Sequence, residues 1–216
     1  KLSNIFFATM TKYEEDLPVS AALFTPNEVN MPISRIFSER GEKQLHIAET
    51  EKYAHVTYFF NGGRETHFPG EERILVDSKK VATYDQAPEM SAAEITKKLI
   101  PRINSRIYDF IIVNFANADM VSHTGNFEAT VKAIQVIDSQ IGLISKSILS
   151  VNGALIICSD HGNAEVMNNP ETGEVDTEHN LSPVPCIIIA NQFRNQAFQL
   201  PNGILADVAP TILAIL

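Results

Sequence analysis

Ala154-Leu155-Ile156-Ile157-Cys158-Ser159-Asp160-His161-Gly162-Asn163 is the stretch on which the fold turns. Its apolar half is short enough to be one buried strand, and it stops at Asp-His-Gly, a carboxylate beside an imidazole at a tight turn. Open α/β sheets place their chemistry at the carboxyl ends of their strands. A hard oxygen ligand next to a nitrogen ligand at such an end makes half of a divalent metal site. The same theme occurs twice more along the chain.

Working outward, Phe110 to Phe115 has the continuous apolar run of a strand buried on both faces. Asn126 to Leu149 reads as a long helix with apolar positions at Val131, Ile134, Ile137, Ile141 and Ile144. Pro185 to Ala190 is a further strand. The run from Ile204 to Leu216, interrupted by Asp207 and Pro210, reads as a closing helix that docks on the body. Toward the start, Ile33 to Arg40 is a short amphipathic helix stopped by Gly41, and Gln44 to Glu49 and Arg73 to Asp77 are strands. Lys52 to Phe60 fits either element. Ser91 to Ile103 is a helix, with Ser91 as N-cap and Glu94 completing a capping box. Helices alternating with buried strands predict an α/β fold whose largely parallel sheet is covered on both sides.

Leu17 to Pro32 contains Pro18, Pro26, Pro32, Asn27 and Asn30, and is the best linker in the chain. The chain opens on Lys1 and runs at once into a strand-like Asn4 to Met10, as a piece of a longer protein does. Residues 1–26 are expected to be the tail of an upstream domain plus linker, and residues 27–216 one metal-binding domain.

With 44% apolar and 20% charged residues in 216, the composition is globular. A net charge of -9 and a pI near 5.1 argue against a nucleic-acid partner. Bound cations still let an acidic protein handle acidic substrates. Cys158 and Cys186, both inside apolar runs, are expected to be buried free thiols. No signal peptide is visible and no apolar run is long enough to span a bilayer, which predicts a soluble, cytoplasmic protein without a membrane partner.

Three clusters fall just past strand ends: Asn117, Asp119 and His123; Asp160 and His161; and His179 in the acidic loop from Glu165 to Glu178. Asp119 and His123 are four apart, so one helical turn aims both at one point. Two carboxylates and three imidazoles with no thiolate suit manganese, zinc or magnesium in a hydrolytic or phosphoryl-transfer site. Taken singly, each of these is more often a surface or turn residue; their shared edge of the sheet makes the case. His46, His55 and His67 have no acidic partner at metal spacing and read as structural. Lys52, just past a strand end, has the chemistry to neutralise a phosphate, although a lone lysine there is ordinarily a surface residue.

The runs I-A-E-T-E-K-Y-A-H-V-T-Y-F-F-N-G-G, F-P-G-E-E-R, N-F-A-N-A-D-M-V-S-H-T-G, S-D-H-G-N-A-E and H-N-L-S-P-V-P occur in order across nearly the whole chain. In these the chain resembles the cofactor-independent phosphoglycerate mutases, members of the alkaline phosphatase superfamily. The resemblance implies an alkaline phosphatase-like three-layer sandwich, incomplete at its N-terminus. It also implies a phosphoglycerate substrate, interconverted between the 3- and 2-phospho forms through a phosphoserine. Two divalent metals are implied, commonly Mn2+, with Mg2+, Co2+ or Zn2+ also compatible with the donors. By motif, Asp119, His123 and His179 would hold one metal, Asp160 and His161 part of the other, and Lys52 would contact the transferring phosphate. The family's nucleophilic serine and an aspartate lie far upstream and have no counterpart here. Neither do the phosphotransferase-domain residues that hold the glycerate. The isolated chain is therefore expected to be inactive, the missing segments being its partners. Around His179 the chain departs from the family pattern at Asn180 and Ser182, which predicts that His179 binds within an altered set of hydrogen bonds. The alternatives are a metal-dependent phosphohydrolase, another mutase of the superfamily, or a non-catalytic metal-binding piece.

Overall fold

The computed structural model describes residues 5–11, 18–24, 29–169, 172–196 and 199–216. Two short strands, β1 (Ala8–Thr9) and β2 (Ala21–Ala22), pair in parallel near the start. The strand expected from Asn4 to Met10 forms only toward its end, at Ala8–Thr9, and Asn4 lies outside the described residues. So do Leu17, Pro26 and Asn27 of the proline-rich stretch.

The body follows as helix α1 (Ile33–Glu39), strand β3 (Gln44–Glu49), helix α2 (Tyr53–Val56), strand β4 (Glu71–Val76), helix α3 (Ala92–Ser105) and strand β5 (Phe110–Val113). Helices α4 (Asn117–Ser122) and α5 (Phe127–Ser150), strands β6 (Ala154–Cys158) and β7 (Cys186–Ala190), and helix α6 (Val208–Ile215) complete it. The ambiguous stretch after β3 resolves as a 3-10 turn over Thr50–Lys52 leading into α2.

Strands β4, β3 and β5 form a parallel sheet with β3 in the middle. Every β3 residue is buried, as a parallel strand covered on both faces requires. Alternation divides its side chains between two cores. Leu45 and Ile47 pack with Val76, with Ile95, Leu99 and Ile103 of α3, and with Ile144 of α5. On the opposite face Phe37 of α1 stacks on Phe110 with ring centroids 4.5 Å apart, and the Gln44 amide donates to the Ser34 carbonyl at 2.8 Å. Three layers result, with α3 and α5 on one side of the sheet and α1 on the other. His46 is buried, as expected of a structural residue, but it does have an acidic neighbour. Its Nδ1 lies 2.6 Å from the Val56 carbonyl and 3.7 Å from the Glu71 carboxylate, because parallel pairing lays β4 alongside β3.

Several expectations are corrected. Ser91 precedes α3, but no capping box forms. Its hydroxyl donates to the Asp77 carbonyl and its N–H to the buried Glu49 carboxylate, so tertiary partners replace the local one. Asn126 does cap α5, accepting from the Ala129 N–H at 3.1 Å. The apolar stripe foreseen on α5 is fully buried only at Ile144; Ala129, Thr130, Ala133 and Ser147 are the other buried positions. Ala129 and Ala133 pack with Val121 of α4, where small side chains allow close approach, and Val131 and Ile134 stay exposed.

Strand β7 runs antiparallel to β6, and among the described residues these two pair only with each other. Cys158 and Cys186 are exposed rather than buried, since they face each other at the last rung of that pair. Helix α6 forms where the closing helix was expected; none of its residues is fully buried, and Val208, Ile212, Leu213 and Ile215 are half-buried. Among the described residues, no helix is long and apolar enough to cross a membrane.

Candidate metal centre

The carboxyl ends of β3, β5 and β6 deliver the functional side chains. Beyond β3 the 3-10 turn presents Lys52; beyond β5, helix α4 carries Asp119 and ends at His123; beyond β6, the chain turns at Asp160 and His161. Because β7 is antiparallel to β6, the connecting segment starts and finishes at that same edge and brings His179 back to it. Its turn is tied down by a bridge between Gly162 and Asn180, whose N–H donates to the Gly162 carbonyl at 2.9 Å.

Asp119 is the hub. Its Oδ2 lies 2.5 Å from Lys52 Nζ. Its Oδ1 lies 3.1 Å from His123 Nε2, 3.0 Å from His179 Nε2 and 3.8 Å from His161 Nε2. Burial on its own pushes the Asp119 carboxyl up, yet the bond and charge of Lys52, followed by His123 and His179, hold it below the usual carboxylate range. The carboxylate is therefore ionised whenever the centre is in use.

The ligand atoms of Asp119, His123 and His179 all lie within 4.8 Å of one another. His123 Nδ1 is 2.6 Å from the Thr177 carbonyl, so the Nδ1–H donates there and Nε2 keeps its lone pair turned inward. That Nε2 stands 3.1 Å from His179 Nε2. Three electron-rich atoms converging with one proton at most between them are stabilised by a shared cation, and an oxygen with two imidazoles is a donor set for a divalent metal. The residues fit the group.

His161 and Asp160 stand beside this set rather than in it. The His161 ring stacks on His179 with centroids 3.7 Å apart, and its Nε2 lies 3.5 Å from Asp160 Oδ1. The Asp160 side chain is 61% exposed. Asn117, from the same cluster as Asp119, turns away and donates to the Pro88 carbonyl at 2.9 Å.

A family model described as the Metalloenzyme superfamily matches residues 14–216. The chain belongs to the Metalloenzyme superfamily. Among relatives of this superfamily chain, the 2,3-bisphosphoglycerate-independent phosphoglycerate mutase of Synechococcus sp. (strain JA-2-3B'a(2-13)) is 51% identical over 221 residues, covering 100% of this chain and 41% of the relative. The enzyme of that name from Thermomicrobium roseum is 51% identical over 216 residues, covering 99% of this chain and 41% of the relative. A solved structure of Leishmania mexicana phosphoglycerate mutase at low cobalt concentration matches with a TM-score of 0.75 at 33% identity, over 84% of this chain and 35% of that one. The chain thus spans about two fifths of the length of the curated relatives it matches.

Within this superfamily chain the structure adds residues that sequence reasoning passed over. Asn163 is buried; its amide lies 3.3 Å from Asp119 Oδ1, its Oδ1 accepts from Ser122 at 2.8 Å, and its own N–H reaches Glu165 at 3.0 Å. The cue was available, since a polar amide directly follows Asp-His-Gly. Thr177 acts through its backbone carbonyl, which carries no side-chain signature. The Ser182 backbone N–H donates to Asn180 Oδ1 at 2.9 Å, so the Asn180 side chain fastens the turn after His179. Burial pushes the His55 imidazole down, with the Lys52 charge second, and the Asp160 and Asp119 carboxylates pull it back. A histidine set aside as structural thus lies within the field of the centre.

Proposed function

We propose that the chain is the C-terminal, phosphatase-like part of a cofactor-independent phosphoglycerate mutase. That enzyme interconverts 3-phosphoglycerate and 2-phosphoglycerate through a phosphoserine, a glycolytic step in the cytoplasm. The observation that carries this reading is the convergence of Asp119, His123 and His179 on one point, with the His123 tautomer set by Thr177. Identity of 51% to enzymes of that name supports it.

In this reading Asp119, His123 and His179 hold one divalent cation, manganese first among the compatible metals. Asp160 and His161 contribute part of a second site. A bound cation of this kind lowers the pKa of a hydroxyl nucleophile and offsets charge on phosphoryl oxygens. The chain's own residues do the positioning. Asn163 and Thr177 orient Asp119 and His123, and Lys52 supplies a compact positive charge for a phosphate oxygen, as suits phosphoryl transfer. Residues 1–26 belong to the end of a phosphotransferase domain and residues 27–216 to the metal-binding domain. The serine nucleophile comes from another part of the longer enzyme, so this chain alone gives no mutase turnover.

Calorimetric titration of manganese into metal-stripped chain tests the ligand set. One tight site is expected, and His179→Ala should lose it. Absence of binding to the unaltered chain would remove the assignment of all three ligands.

A further inference from the structure

Cys158 closes β6 and Cys186 opens β7, and the antiparallel register sets the two directly opposite each other. Opposed residues of an antiparallel pair point to the same face with Cβ atoms about 4.5–5.5 Å apart, so a small closing movement brings them to the span of a disulfide, about 3.5–4.5 Å. Both cysteines are exposed. They share their face with Ile156 and Ile188, whereas Leu155, on the alternate side of β6, packs against the main core. No other cysteine occurs in the chain, so an internal disulfide has only one possible pairing.

We propose that Cys158 and Cys186 are a redox-sensitive modification site that closes reversibly to a cross-strand disulfide. The oxidant is a low-molecular-weight disulfide such as oxidised glutathione. One protein thiol, on losing its proton, attacks a glutathione sulfur and releases one glutathione thiol; the opposing cysteine then displaces the second. Two protein S–H bonds and one glutathione S–S bond become one protein S–S bond and two glutathione S–H bonds, with two electrons passing to glutathione. The bond would tie together the two ends of the segment that carries Asp160, His161 and His179. It needs no metal, and so it stands apart from the ligand assignment.

The test is to treat reduced chain with excess oxidised glutathione, alkylate the remaining thiols, and digest without reductant. One peptide pair joined through Cys158 and Cys186 is expected, from a monomer, and dithiothreitol should restore both thiols. Cys186→Ser should instead leave Cys158 as a glutathione adduct. The oxidised chain should also melt at a higher temperature than the reduced one, an increase absent in Cys186→Ser, because closing the segment between residues 158 and 186 restricts the unfolded chain. Two glutathione adducts per chain, disulfide-linked dimers, or two thiols left free would each overturn the proposal. An internal link that lowers the melting temperature would overturn it as well, by showing that the strands must distort to make the bond.

Discussion

Asp119 must serve a cation on one oxygen while Lys52 already occupies the other, 2.5 Å away. Lys52 is only 8% exposed, so water screens this pair weakly. Its ammonium balances the carboxylate and opposes any second positive charge brought to the same group. Replacing it relieves that repulsion. Lys52→Met should therefore bind manganese more tightly, by about tenfold or more, equivalent to roughly 1.4 kcal/mol. Calorimetry on the two chains checks this, and unchanged or weaker binding would show that Lys52 does not compete with metal. Asn163 works in the opposite sense, its amide steadying the oxygen that faces the imidazoles. Asn163→Ala should weaken metal binding by about 10-fold, in the range seen when groups that orient ligands are lost, with equilibrium dialysis as the readout.

At the scale of elements, the centre depends on how strand ends are fastened. The end of β3 is held by Glu49, which is buried with no cationic partner among the described residues and accepts from Ser78 and from the Ser91 N–H ahead of α3. Burial pushes its carboxyl up, only partly offset by those hydrogen bonds. A carboxyl raised in the folded state binds its proton more tightly than in the unfolded chain, so folding stability falls as pH rises through the folded value. Glu49→Gln removes that loss and keeps an acceptor for Ser91. The variant should be more stable than the parent at pH 7 by about 1 kcal/mol, the size of one hydrogen bond. The difference should vanish below the ordinary glutamate range, about pH 4. Urea midpoints at the two pH values decide it; a variant weaker than its parent at pH 7 would show that the ionised form is the stabilised one. The turn after β6 is fastened differently, by close approach. A Cβ on Gly162 would come within 2.2 Å of Asn180 Oδ1 and 2.5 Å of Glu165 Oε1, so both side-chain tips would have to turn away and Asn180 would give up the bond it accepts from the Ser182 N–H. Gly162→Ala should displace the His179 segment and lower manganese affinity, while denaturant unfolding changes by only about 1–3 kcal/mol.

Over the whole molecule, one face of α5, at Phe127, Val131 and Ile134, carries large apolar residues in solvent, and Leu143 and Ile187 do so elsewhere. Phe127, Val131, Ile134, Leu143 and Ile187 are each at least 40% exposed. Apolar surface grouped in this way drives association. Sedimentation should show the chain self-associating as its concentration rises, and a monomer across the range would count against a continuous sticky face. The sheet itself was legible in the sequence because its signals are local. Ala154–Cys158 is an apolar run of strand length with turn residues after it, Gln44–Glu49 sets polar Gln44 and His46 alternately with apolar Leu45 and Ile47, and both strands form where expected. Asp119 and His123 were legible for a similar reason, since four-residue spacing on one helical turn fixes their mutual position before any packing occurs. Other features depended on contacts between distant parts of the chain. The exposed side of α5 could not be read from its apolar pattern, because Ala129 and Ala133 are buried by the close approach of α4. Nor could the capping of α3, where Glu49 and Asp77 claim the groups of Ser91. The sequence by itself determined which residue types stand after each strand, and hence the donors available to a metal. Only the tertiary structure decided that they meet, because β7 reverses against β6 and returns His179 to the edge where Asp119 already stands, and that reversal is a pairing between strands with no local signature in either.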